Sequence, residues 1–332
     1  MSRNIRCFLC FAALLLAPAV PAQQPVAPTE PRNGRIYLDV VVTEKSGLPV
    51  SGLKQQNFTI LDNKAPQSIT SFHAVDGLQA PVDVLIVIDA LNAGYMTVSN
   101  ERSQVDKFLR ADGGNLAYPT GLAVLTDTGI NTLKQFSKDG NLLSSLLEQY
   151  ALKEGSAEGD SQALFDLLQR ETSRPGRRII IFVSPGWPLR PRAMLDTREQ
   201  QQLFGQIVDF STLLLRDRVT LYSIDPAGAL DSLAADTHWE SFVKGISKAS
   251  QAEEGDLGLQ VLATQSGGLA LSQDNDIAAV LQRCLADTRA YYEISFDPSK
   301  AGRPDEYHQL EVRIAKPGLK ARTRQGYYSR AE

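Results

Sequence analysis

Between residues 82 and 289, short apolar runs alternate with longer stretches of helical periodicity, and nothing else in the chain restricts the fold as much. The runs "VDVLIVID", "TGLAVLTDT", "RRIIIFVS", "RVTLYSID" and "GGLALS" are nearly continuous in apolar residues, as strands covered on both faces are. Helical patterns fall at 98–110, 139–152, 160–173, 195–216, 239–264 and 275–289. This order predicts a doubly wound, mostly parallel α/β sheet with right-handed crossovers. "INTLKQF" lies close enough behind the second run to form an antiparallel edge strand.

The two flanks have period two instead. Ile36, Leu38, Val40 and Val42 share one face of "RIYLDVVVTEKSG", and strands through Ile60 and from Ile69 to Phe72 enclose a turn at "DNKAP". Near the other end Tyr292, Ile294 and Phe296 share a face, as do Leu310, Val312 and Ile314, before "LKARTRQGYY" closes the chain. Each half-sized unit has an apolar face and is too small to cover it alone. The expectation is a single β-sandwich built from residues 35–79 and 290–332, carrying an α/β domain at 80–289.

Residues 1–22 place Arg3 and Arg6 before the apolar run "CFLCFAALLLAPAV" and end in "VPA", the pattern of a cleaved secretory signal peptide. Residues 23–34 read as a flexible lead-in rich in Pro, Gln and Ala. The mature chain is then expected outside the cytoplasm, periplasmic or secreted, with no stable membrane span. The chain has 34 basic against 38 acidic residues, a net charge of −4, and without Arg3 and Arg6 the balance is 32 against 38. An acidic chain without a basic patch argues against a nucleic-acid partner, even though "KPGLKARTRQGYY" is locally basic and aromatic. Beyond the signal only Cys284 remains, on the apolar side of a helical pattern, so no internal disulfide is expected and the thiol reads as core.

Asp89 ends the first apolar run, where a parallel strand delivers a side chain to the ligand edge of the sheet. Asp225 ends the fourth run in the same sense, and Ser184 ends the third. Enzyme patterns fail around these residues. "DALNA" lacks the second Asp and the Thr of a D-x-D-x-T phosphatase loop, and "IFVSPGW" has Phe182 where a nucleophile elbow needs Gly. There is no glycine-rich dinucleotide turn or P-loop, and His73, His238 and His308 have no ligand spacing. "SPGWPLRPR" sets Trp187 between prolines and close to Arg190 and Arg192, a composition found in interface anchors; Trp187 either makes such a contact or folds back over the sheet end.

Several segments in order, from "LDVVVTEKSGLPVSGLKQQNFTILDNKAPQSITSF" through "PVDVLIVIDALN", "RRIIIFVSPGW" and "LATQSGGLAL" to "YYEISFDP" and "RIAKPGLKARTRQGYY", resemble the exported von Willebrand factor A-related proteins of acidobacteria. The resemblance spans nearly the whole mature chain. It implies a von Willebrand A domain and, at its ligand edge, a metal-ion-dependent adhesion site built on D-x-S-x-S, a Thr from a second loop and an Asp from a third. A hard cation held by hydroxyls and few carboxylates stays electrophilic enough to take a partner's carboxylate. In this chain Asp89 matches the first Asp, but Leu91 and Ala93 stand where the two Ser would be, and Ser184-Pro185-Gly186 replaces the T-D-G of the third loop. Ser156 or Ser161 stands nearest to the second-loop Thr.

The sequence-based expectation is therefore an exported, non-enzymatic protein-binding module that contacts a protein ligand without a cofactor. Its partner surface would lie in loops 89–97, 155–161, 184–192 and 225–231, with Asp89, Asn92, Ser184, Trp187, Arg190 and Asp225 as contact residues. The alternatives are a residual Mg²⁺ or Ca²⁺ site at Asp89, and a hydrolase using Asp89 or Ser184. Asp89 could also simply cap the next helix or bind loop amides.

Overall fold

A computed structural model describes residues 34–77, 81–133, 136–150, 161–170, 176–186, 195–226, 237–272 and 275–329. Its centre is a seven-stranded sheet. Five strands are parallel: β5 (Val82–Asp89), β6 (Asn115–Thr126), β9 (Arg177–Val183), β10 (Val219–Ile224) and β11 (Ala270–Leu271). Two short strands, β7 (Gly129–Thr132) and β8 (Ser137–Asp139), run antiparallel to β6. The spatial order is β11-β10-β9-β5-β6-β7, the common 3-2-1-4-5-6 doubly wound order with its third strand reversed.

Alternate residues of the central strands feed two separate cores. Val84, Ile86 and Ile88 of β5 pack with Ile179, Ile181 and Val183 of β9 under α1 (Tyr95–Arg110), α2 (Gly140–Gln149) and a C-terminal helix at Ile277–Ala286. Leu85, Val87, Ile180 and Phe182 face the opposite layer, formed by α3 (Ser161–Arg170), α4 (Thr197–Arg216) and α5 (Leu259–Gln265). The C-terminal helix, α6, carries Cys284 into the first core, where burial pushes its thiol pKa up. Strands wetted on neither face explain why the runs read as continuous apolar sequence.

Residues 239–264 do not form the one long helix that their periodicity predicts. The segment breaks into 3-10 turns at Thr237–Phe242, Ala249–Gln251 and Glu254–Leu257 before α5 begins. Two glycines of the segment pack tightly: a Cβ on Gly245 would run into the Tyr307 ring, and one on Gly255 into Phe242. No helix among the described residues is long and apolar enough to cross a membrane.

The flanking strands form two four-stranded antiparallel sheets. One has the order β14-β1-β12-β4 and the other β15-β13-β2-β3. β1 (Ile36–Thr43), β2 (Phe58–Asp62), β3 (Ala65–Gln67) and β4 (Ile69–Asp76) come from one end of the chain; β12 (Ala290–Phe296), β13 (Glu306–Ile314), β14 (Lys320–Arg322) and β15 (Gly326–Ser329) come from the other. β1 and β2 never pair with each other: β1 lies between β12 and β14, and β2 lies between β13 and β3. The β2–β3 hairpin turns on Asn63 and Lys64, both at positive φ, as a two-residue turn requires. Ile36, Leu38, Val40, Phe58, Ile60, Tyr292, Ile294, Phe296 and Tyr327 meet in one core between the sheets.

Candidate functional site

Asp89 and Ser184 end adjacent parallel strands, with Ile88 level with Val183, at the point where the chain winds one way from β5 to β6 and the other way from β9 to β10. Clefts at the carboxyl ends of doubly wound sheets open at such a switch point. Both side chains are buried. Asp89 Oδ1 accepts the backbone N–H groups of Leu91 and Asn92, each at 2.9 Å. Oδ2 accepts the Asn92 amide at 2.8 Å and the Ser184 hydroxyl at 2.6 Å. A carboxylate offers about four lone-pair positions, and four donors from the chain itself fill them. The acid binds loop amides rather than capping α1, whose N-cap is Gly94 without a side-chain bond.

The third loop is held as firmly. Ser184 Oγ accepts the Gly186 N–H at 2.9 Å, and Gln260 of α5 donates to the Pro185 carbonyl at 3.3 Å. Gly186 has φ +95° and packs so closely on Gln260 that a Cβ there would overlap its amide. Leu91 and Ala93 have become packing residues: Leu91 lies against the core under α3–α5 and Ala93 against the core under α1.

One residue of this site was missed in the sequence. Glu101 is fully buried on α1, and neither of its carboxyl oxygens has a hydrogen-bond partner. Desolvation, then the nearby charges of Asp89 and Asp225, push its pKa from 4.5 up to about 9. It therefore sits protonated at neutral pH, a neutral acid among ionisable ones. The signal was readable, because Val98, Glu101, Val105 and Phe108 share one helical stripe and three of the four are apolar. Asp225 is held through its backbone N–H to the Leu271 carbonyl at 2.8 Å and stands near enough to act on Glu101.

At the rim of this buried cluster, Tyr95 and Met96 open α1 and are 59% and 79% exposed. They are two of the few large apolar side chains left in water among the described residues. Of the contact residues expected from sequence, Asp89, Asn92 and Ser184 come together in one hydrogen-bonded unit, with Asp225 close by. Trp187, Arg190 and Arg192 lie outside the described residues, as do Ser156 and most of the loops at 155–161 and 225–231. His73 is exposed on β4, and His308 is buried in the sandwich, where Nδ1 lies 2.8 Å from Asp62. The His238 side chain lies outside the described residues.

A divalent cation does not fit this donor set. Asp89 has no free lone pair, its neighbours at 91 and 93 bring no oxygen, and no group of three or more His, Cys, Asp or Glu among the described residues could hold a metal. Ser184 donates its hydroxyl proton to the Asp89 carboxylate, and among the described residues no histidine is bonded to either side chain.

No protein-family model and no curated protein matches the chain. Among solved structures it is similar to an aerotolerance-related membrane protein from Bacteroides fragilis (13% identity over 61% of this chain and 98% of that one, TM-score 0.38). It is similar also to the three N-terminal domains of the type V pili tip protein Mfa5 from Porphyromonas gingivalis (11% identity, 89% and 67%, TM-score 0.40). A third likeness is to the SpRpn10 VWA domain (12% identity, 60% and 94%, TM-score 0.34). Likenesses of this size assign neither a family nor a role.

Proposed function

We propose that this chain is an exported, non-enzymatic protein-binding module of von Willebrand A type whose contact does not depend on a metal. The observation that carries the reading is the pairing of a self-satisfied Asp89 with an exposed apolar rim. The acid that would hold a cation is used internally, while Tyr95 and Met96 beside it are left in water. Aromatic and Met side chains are the residues that supply binding energy at protein interfaces once buried. The order of the sheet, with its reversed third strand, supports the von Willebrand A assignment, and the charged-then-apolar segment 1–22 supports export.

Three measurements test this. Calorimetric titration with Mg²⁺, Mn²⁺ and Ca²⁺ is expected to show no micromolar binding; binding that Asp89→Ala abolishes would establish the metal-dependent alternative. A photo-cross-linking side chain at position 96 is expected to capture a protein from envelope or culture fractions equally with and without chelator. Loss of the product with chelator would overturn metal independence. Hydrolysis lost in Ser184→Ala or Asp89→Asn would overturn the binding reading itself.

A further inference from the structure

The four edges of the sandwich differ in what covers them. β14 and β15 lie against the α/β domain: Arg322 pairs with Asp287, and the Tyr328 hydroxyl donates to the Ile246 carbonyl at 3.1 Å. β3 is three residues long and carries Pro66, and short edges with proline resist pairing. β4 has neither kind of protection. It is eight residues long, and among the described residues it pairs with β12 alone. From Ile69 to Val75 it holds no Lys, Arg, Asp, Glu or Pro, so nothing in its sequence guards its free side.

The phase of the strand decides which backbone groups face that side. Gly77 donates to the Arg289 carbonyl at 2.9 Å, and these two residues continue the register in which Asp76 stands opposite Ala290. Bonded and non-bonded pairs alternate along an antiparallel ladder, so His73 and Val75 bond β12, while Phe72, Ala74 and Asp76 turn their N–H and C=O groups away from it. The regular ladder ends at Ser71, where the register shifts at Ser295. The Phe72 side chain anchors the strand, with its ring centre 5.3 Å from that of Phe58 and 5.8 Å from that of Tyr292. His73, Ala74 and Asp76 are exposed.

We propose that β4 is a self-association edge, to which a second copy of this chain adds its own β4 in antiparallel sense with the two-fold axis at Ala74. This register sets Ala74 opposite Ala74 of the second copy and Phe72 opposite its Asp76. It uses every outward-facing group of the three residues and opposes no like charges. A second copy fits the edge better than a free peptide, because its β4 is already extended. An unstructured segment would have to be ordered at about 1–2 kcal/mol per residue. One strand from each copy makes a small interface, so the dimer is weak and depends on concentration. The edge precedes β5, whose far end carries the site beside Tyr95 and Met96, so the two surfaces are independent.

Sedimentation of the purified chain at rising concentration is expected to show a monomer–dimer equilibrium. Ala74→Pro removes an N–H that β12 does not use, and is expected to be monomeric with the melting temperature of the wild-type monomer. Ala74→Asp sets two carboxylates face to face on the axis and is expected to be monomeric as well, which keeps the test decisive should the proline variant misfold. Ala74→Cys is expected to give a disulfide-linked dimer on oxidation that a thiol reductant cleaves, since bonded cross-strand pairs lie about 5.5 Å apart, within the span of a disulfide. Met96→Ser is expected to leave the equilibrium unchanged. A wild-type chain monomeric throughout would overturn the proposal and leave the edge to an extended segment of another protein. So would a dimer that persists in both Ala74→Pro and Ala74→Asp, one that Ala74→Cys does not cross-link, or one lost in Met96→Ser.

Discussion

Glu101 makes the stability of this protein depend on pH in the direction opposite to that of a paired carboxylate. Its native pKa of about 9 lies above the ordinary 4.5, so the folded state holds a proton that the unfolded state releases. The stability this group allows is fully present below pH 4.5 and is lost as pH rises toward 9, by about 1.4 kcal/mol for each pH unit. At pH 7 the accumulated loss is about 3 kcal/mol. Glu101→Gln keeps the shape and removes the titration. A buried amide without partners brings its own cost of about 1–3 kcal/mol, but that cost does not change with pH. The diagnostic is therefore the slope. In urea unfolding from pH 5 to pH 9, the difference between Glu101→Gln and wild type is expected to move in favour of the variant by about 1.4 kcal/mol per unit. Asp256, raised to about 6 by its own burial, contributes to both proteins and cancels in that difference. Parallel curves would refute the reasoning, because they would mean that Glu101 is ionised and solvated in the folded state.

Ser184→Ala removes one of four donors to Asp89 and also orphans the Gly186 N–H; a destabilisation of about 2–3 kcal/mol is expected in chemical denaturation, and no change would show that water replaces the hydroxyl. Arg218→Gln leaves Asp39 and Glu293 opposed across β1 and β12 and is expected to cost about 3 kcal/mol, with Glu293→Gln recovering part of it in a double-mutant cycle; simple additivity would deny the bridge. Removing residues 305–332 takes away one neighbour each of β1 and β2, β14 and β13, and should speed amide exchange across Phe58–Asp62, where unchanged protection would show that β2 does not depend on β13. Gly268→Ala would drive a Cβ into the Leu221 carbonyl, and a melting temperature equal to wild type would contradict the close packing of the α5–β11 turn on β10.

Much of this architecture could be read from the chain because its strands have unmixed environments. Val84 to Ile88 is apolar on both faces, so its run length and terminal acid were enough to put Asp89 at a sheet end. Period two gave the faces of β1 and β2 but not their partners, since alternation says which side is buried and nothing about which strand lies alongside. That is why two strands close in sequence went unrecognised as members of different sheets. The segment 239–264 differs for another reason: its apolar spacing is helical, and the close packing of Gly245 on Tyr307 and of Gly255 on Phe242 is visible only in the folded chain.

The candidate site divides along the same line. Leu91 and Ala93 were visible as missing hydroxyls, which bears on what Asp89 does not hold. What it does hold required the register of β5 against β9, because Ser184 is 95 residues away and reaches the acid only when Ile88 and Val183 lie side by side. Ser184 gives its proton to the carboxylate across the two strands, so Asp89 is satisfied from within the chain. Leu91 and Ala93 then pack the helical layers on either side of the sheet, and the start of α1 just beyond them is apolar and exposed at Tyr95 and Met96. Under the proposed function, recognition at this edge rests on burying that rim, and its affinity is expected to respond weakly to salt and to chelator, and strongly to Met96→Ser; binding abolished by chelator, or unchanged in Met96→Ser, would refute that reading.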